Sequence, residues 1–193
     1  MLAISFVVES SYRDWSTDFP AIIICENKNM DRVQQVADEI FGLDHDFTLE
    51  EILSEMVYFR GESYHTVHEC TGDDVNEKCL FGNYSHYANM VRSKCEESLS
   101  ECFWNEKKFE CCQHFLPLES EIGKCFALNS AQTNRLKNQT KLSMISNRFT
   151  GPGKLRFKVS TESYLYTIGS DEVPNLVSPK TDILQIDQFI SYK

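Results

Sequence analysis

The stretch "ECFWNEKKFECCQHFLPLESEIGKCFALNS", residues 101–130, holds four of the chain's eight cysteines: Cys102, the adjacent pair Cys111 and Cys112, and Cys125. A metal site, a catalytic thiol and a disulfide framework would each crowd sulfur in this way, and each implies a different protein. The metal reading finds its best case outside the stretch, in "HTVHEC", where His65, His68 and Cys70 are followed nine residues later by Cys79. No Cys-x-x-Cys pair accompanies them, and structural zinc needs paired ligands at close spacing. The thiol reading rests on His114 standing two residues after Cys112. Sequence neighbours are rarely the spatial partners of a Cys–His dyad, so that reading is weak as well.

Disulfides remain. The other cysteines are Cys25, Cys70, Cys79 and Cys95, and an even set of eight can pair in about 105 ways, so spacing alone gives no connectivity. Two sequons accompany them, Asn83-Tyr84-Ser85 and Asn138-Gln139-Thr140, both in polar, turn-like surroundings that suit N-glycosylation of Asn83 and Asn138. Cysteine density and sequons together point to an oxidising, extracytoplasmic location.

Composition narrows the class. At 193 residues with 41% hydrophobic content, the chain is sized for one domain with a packed core. A net charge of −10 with no basic run argues against nucleic acid as a partner. The apolar run Met1–Val8 is far shorter than the roughly 20 residues that span a bilayer. It reads either as a short buried strand or as the outer end of a membrane helix, with Tyr12 and Trp15 suited to a membrane–water interface. No nucleophile–base pair, phosphate loop or metal spacing supports an enzyme, and no cofactor is implied. Glu119, Glu121, Asp171 and Glu172 would sense protons or cations only if the fold gathered them; their plainer reading is a solvated face.

Along the chain, "AIIICEN" reads as a fully buried strand over 21–25, because its β-branched run shows no alternation. Val33, Val36, Ala37, Ile40 and Phe41 recur at helical spacing, ended by Gly42. A second helix over 48–59 has Thr48 as expected N-cap, Glu51 completing a capping box, and Phe47 stapled to Ile52, with Leu49, Leu53, Met56 and Val57 as its buried stripe and Gly61 as its stop. Residues 61–100 are polar with little periodicity beyond a short helix around Val91 to Leu99, and 129–154 read as loop. Leu155, Phe157 and Val159 alternate as in a half-buried strand, as do Tyr164, Tyr166 and Ile168, and "DILQIDQFISY" supplies one last strand. The class is α+β.

Three blocks, in order, resemble the degenerin/epithelial sodium channel family. "SYRDWSTDFPAIIICENKN" is similar to the segment just outside that family's first membrane helix, with Phe19 and Pro20 in its Phe-Pro-Ala hallmark. The stretch 101–130 is similar to the family's Cys-x-Trp, Cys-Cys, Phe-x-Pro-Leu and Glu-x-Gly-x-Cys block, carried here by Trp104, Pro117, Gly123 and Asn129, most closely in its insect pickpocket branch. "YTIGSDEVPNLVSP" resembles a signature in which Asp171, Glu172 and Pro174 match, with Gly169 where histidine is usual.

The resemblance implies a disulfide-rich channel ectodomain with a β-sheet palm, a β-ball and a helical finger. Residues 1–15 would end a truncated first membrane helix and its linker. Residues 16–193 would be extracellular, with the finger at about 30–115 and palm and ball strands at about 20–25 and 116–193. No thumb and no second membrane helix are expected within the chain, which on this reading does not conduct by itself. The implied role is one subunit of a trimeric, sodium-selective, amiloride-sensitive channel at the plasma membrane. Its partners would be homologous subunits, sodium ions, and the bilayer through the missing helices. The alternative is a secreted cysteine-rich regulatory module. The resemblance also implies pairing: Cys25 with Cys125, Cys102 with Cys111 or Cys112, and two further bridges among Cys70, Cys79, Cys95 and the remaining thiol.

Overall fold

The computed structural model describes residues 16–71, 79, 82–133 and 142–193. The readings made for residues 1–15 and for Asn138 lie outside these.

Strand β1 (Ser16–Asp18) leads into β2 (Ala21–Glu26), whose six residues are all buried. The reason for its unbroken apolar run is that both faces are covered. Ile22 and Ile24 enter one core, while Ile23 and Cys25 enter another on the opposite face. Helices α1 (Met30–Phe41), α2 (Phe47–Val57), α3 (Tyr64–Cys70) and α4 (Tyr84–Val91) follow, then the single turn α5 (Cys95–Ser98). Val33, Val36 and Ala37 of α1 pack on Leu53 and Val57 of α2 and Val91 of α4, a small core of their own.

The chain then forms β3 (Leu99–Trp104), β4 (Lys107–Lys108), the turn α6 (Cys111–His114), the hairpin β5 (Leu116–Ser120) and β6 (Gly123–Leu128), and β7 (Ile145–Asn147). It ends with β8 (Leu155–Val159), β9 (Ser163–Ile168), β10 (Asp182–Leu184) and β11 (Gln188–Tyr192). A five-stranded antiparallel sheet runs β10-β9-β2-β6-β5, and a four-stranded one runs β11-β8-β3-β4. Strands β1 and β7 pair separately. The two larger sheets share one core: Ile22, Ile24, Phe126 and Leu128 of the first meet Leu99, Trp104, Leu155 and Phe157 of the second. Mixed helix and sheet, with four disulfides, is the α+β class.

Local expectations are corrected in five places. The N-cap of α2 is Asp46, not Thr48: its carboxylate accepts from the Thr48 amide at 2.9 Å and the Thr48 hydroxyl at 3.0 Å. The helix therefore starts earlier, and Phe47 falls in its first turn at 63% exposure, so no staple forms. Residues 61–100 contain α3, α4 and α5, each too short for periodicity to stand out. Leu99 opens a strand instead of closing a helix, because it pairs with Val159 of β8. Residues 145–147, within the expected loop, pair with β1. The expected single strand at the end divides at Gln185–Asp187, where Asp187 has φ +61°, into β10 and β11, which join different sheets.

Candidate functional site

Helices and sheet meet at a buried polar junction. Glu26 closes β2, and the chain turns at once into α1, whose first turn is capped by the Asn29 side chain accepting from the Arg32 amide at 3.2 Å. Glu26 is 7% exposed, and a carboxylate at such depth needs donors. It receives the Tyr58 hydroxyl at 3.0 Å, the Ser93 amide at 3.1 Å and the Ser93 hydroxyl at 2.6 Å. Burial, and then the Glu26 charge, push the Tyr58 phenol far above its ordinary value, so it stays a donor.

Two guanidiniums complete the junction. Arg92, 6% exposed, donates to the carbonyls of Val57 at 2.7 Å, Ile122 at 2.8 Å and Lys124 at 3.1 Å, and its cation lies 5.0 Å from the Tyr58 ring centre. Burial holds its pKa below the ordinary arginine value, though arginine remains charged in proteins. Arg60 donates to the carbonyls of Glu26 at 3.1 Å and Ile122 at 3.2 Å. Strand end, helix ends and the β5–β6 turn are thereby tied together by main-chain acceptors. Gly123, in that turn, has φ +100°, and a Cβ there would stand 2.5 Å from Arg92 Nη2. A cleft of about 430 Å³ opens between α2, α4 and this turn, with Phe59 and Tyr84 among its lining.

Three signature residues, Phe19, Trp104 and Asn129, meet at a second seam, between the sheets. Phe19 stacks edge-on against Trp104 at 4.8 Å and Tyr192 at 5.7 Å, and its carbonyl accepts from the Asn129 side chain. Asn129 sits at φ +58°, a conformation asparagine tolerates. Trp104 also presses on Gly153, where a Cβ would be 2.4 Å away. Pro20 is half-buried ahead of β2, and Pro117 is exposed on β5, an edge strand, where its missing N–H breaks no ladder. The third block lies beside the second: Ala131 donates its amide to the Ser170 carbonyl at 2.7 Å, and the Gln132 side chain to that of Asp171 at 2.8 Å. Pro174 is buried, whereas Asp171 and Glu172 are exposed, and Glu172 accepts from the Gly169 amide at 2.9 Å. Glu119 and Glu121 are exposed at one end of β6 and Asp171 and Glu172 lie beside the other, so the fold does not gather the four acids.

The cysteines form four disulfides: Cys25–Cys125, Cys70–Cys79, Cys95–Cys112 and Cys102–Cys111. The first is the pair the resemblance implies, and Cys102 takes Cys111 of its two implied partners. No thiol is left free. His65 binds Glu55 at 3.0 Å and His68 binds Glu69 at 2.9 Å, while Cys70 and Cys79 are consumed by their own bridge. Among the described residues no three His, Cys, Asp or Glu groups are placed to hold a metal, and no helix is long and apolar enough to cross a membrane. Asn83 is exposed at the start of α4 with no capping bond from its side chain.

Sequence reasoning missed Glu26, Tyr58, Arg60 and Arg92. The signal for Glu26 was present, as a charge closing a fully apolar strand. The two arginines each follow the apolar end of a helix, where a charged residue reads as a solvated cap.

No curated protein matches the sequence. A family model does, described as the amiloride-sensitive sodium channel and covering residues 2–178. With nearly the whole chain matched, and a disulfide-stapled α+β fold in which the family-like blocks meet at two seams, the chain belongs to the amiloride-sensitive sodium channel family.

Proposed function

We propose that the chain is extracellular structure of a sodium-selective, amiloride-sensitive channel subunit that assembles with homologous subunits as a trimer. The family is one of multimeric plasma-membrane channels with extracellular ectodomains, and not of enzymes. The match over residues 2–178 is the observation that carries the reading. On this reading the helices from α1 to α5 are the finger and the two larger sheets are palm and ball. The junction of Glu26, Tyr58, Arg60 and Arg92 joins finger to sheet, and the Cys25–Cys125 bridge braces the sheet that receives it. Asn83 and Asn138 carry N-glycans, as befits an exposed, oxidised domain.

The test is to express the protein from its own gene in animal cells and follow it by surface biotinylation and carbonate extraction. An integral, surface-labelled product that contributes to an amiloride-blocked sodium current, alone or with related subunits, is the expected result. A product found in the medium and absent from membranes would favour the secreted regulatory module instead.

A further inference from the structure

We propose that the corner between α1 and α2 is a proton-operated latch, closed when His45 carries a proton on both ring nitrogens and loosened when it does not. The geometry demands two donors. Nδ1 lies 2.7 Å from the Gly42 carbonyl, which can only accept, and Nε2 lies 3.0 Å from Glu50 Oε1. A neutral imidazole donates from one nitrogen only, so one of these contacts would set a lone pair against an oxygen. The ring is not free to turn away, since its side chain is 3% exposed and lies beside Phe41. The charged groups facing it are Asp38 of α1, at 3.4 Å, and Glu50 of α2; Asp46, in the same corner, accepts from Thr48. All are carboxylates, so the surroundings favour the cation.

The Gly42 carbonyl, followed by the Glu50 and Asp38 charges, raises the His45 pKa above its usual value against the opposing effect of burial. A proton held more tightly in the folded corner stabilises it fully below about pH 6.5, the ordinary histidine value, and that contribution is lost as pH climbs through the raised one. The corner is placed to matter, because α2 delivers Tyr58 to Glu26 at its far end. Extracellular acidification thus tightens the helix that reaches the junction.

Histidine 15N spectra of the oxidised protein, recorded from pH 5.5 to 8.5, test this. We expect His45 protonated on both nitrogens at pH 6.5, titrating above the same residue in the urea-unfolded chain, with the midpoint lowered in Glu50→Gln. Amide exchange across residues 42–50, corrected for its intrinsic pH dependence, should speed up with rising pH in the wild type and stay flat in His45→Gln. A single-nitrogen tautomer at pH 6.5, a midpoint at or below the unfolded one, or unchanged exchange behaviour in His45→Gln would overturn the proposal while leaving the family assignment standing.

Discussion

Gly123 lacks a side chain because Arg92 fills the space one would need. The guanidinium is pinned by three carbonyls, so it cannot retreat as a free surface arginine would. Gly123→Ala should therefore destabilise the protein by about 2–3 kcal/mol, more than the roughly 1–2 kcal/mol of a positive-φ backbone alone. Gly61→Ala is the control: φ is +95° there too, but nothing lies within 4 Å of the added Cβ, and only the backbone term should appear in denaturant unfolding. Arg92→Met removes a donor from the carbonyls of Val57, Ile122 and Lys124, of which Ile122 keeps Arg60, and leaves Tyr58 without the cation over its ring. Each orphaned acceptor costs about 1–3 kcal/mol, offset by removing a desolvated charge, so we expect a net loss of about 3 kcal/mol and a fall in Tm of about 6–12 °C. Equal stability of Arg92→Met and wild type would show that the junction is not held by this side chain. At this scale the sequence was partly legible. Gly123 stood out through its motif, yet nothing in the letters around Arg92 announces a residue that reaches three carbonyls from two separate segments.

Among the elements, β2 was the most readable and the ends of α2 the least. An apolar β-branched run bounded by Pro20 and a polar turn leaves little choice but a strand buried on both faces, which β6 and β9 then flank. At the start of α2 the sequence pointed to Thr48 as the cap, two residues after the one the structure uses. Asp46 wins because its carboxylate takes the amide and hydroxyl of Thr48 together. Asp46→Ala should lower stability by about 1 kcal/mol, while Thr48→Ala, which loses only the hydroxyl's donated bond to the cap, should cost less; urea midpoints compare the two. The reverse ranking would restore Thr48 as the cap. Strand β3 was hidden because it is specified by a partner more than fifty residues later, Val159 opposite Leu99, and not by its own alternation. The same non-local dependence split the last apolar segment into β10 and β11.

Across the whole molecule, four bridges do different work. Three close loops of 9 to 17 residues within the helical and β3–α6 regions, whereas Cys25–Cys125 spans 100 residues and ties β2 to β6 in the sheet centre. On the chain-entropy account a loop of that length contributes about 4–5 kcal/mol, so Cys25→Ala with Cys125→Ala should cost about 2–5 kcal/mol and reduce the yield of folded protein. Removing Cys70 and Cys79 together should cost less, since the loop is short. The order of helical and strand patterns foretold the α+β class, but connectivity needed the resemblance and the fold, because eight cysteines carry no pairing in their spacing. The central claim is that residues 101–130 are a structural junction in a disulfide-stapled member of the sodium channel family, with every cysteine committed to a bridge. Non-reducing peptide mapping of protein purified from a secretory host tests it most directly. We predict linked peptides for Cys25–Cys125, Cys70–Cys79, Cys95–Cys112 and Cys102–Cys111 and no free thiol; a Cys25–Cys70 link, or free cysteines in the folded protein, would contradict the account.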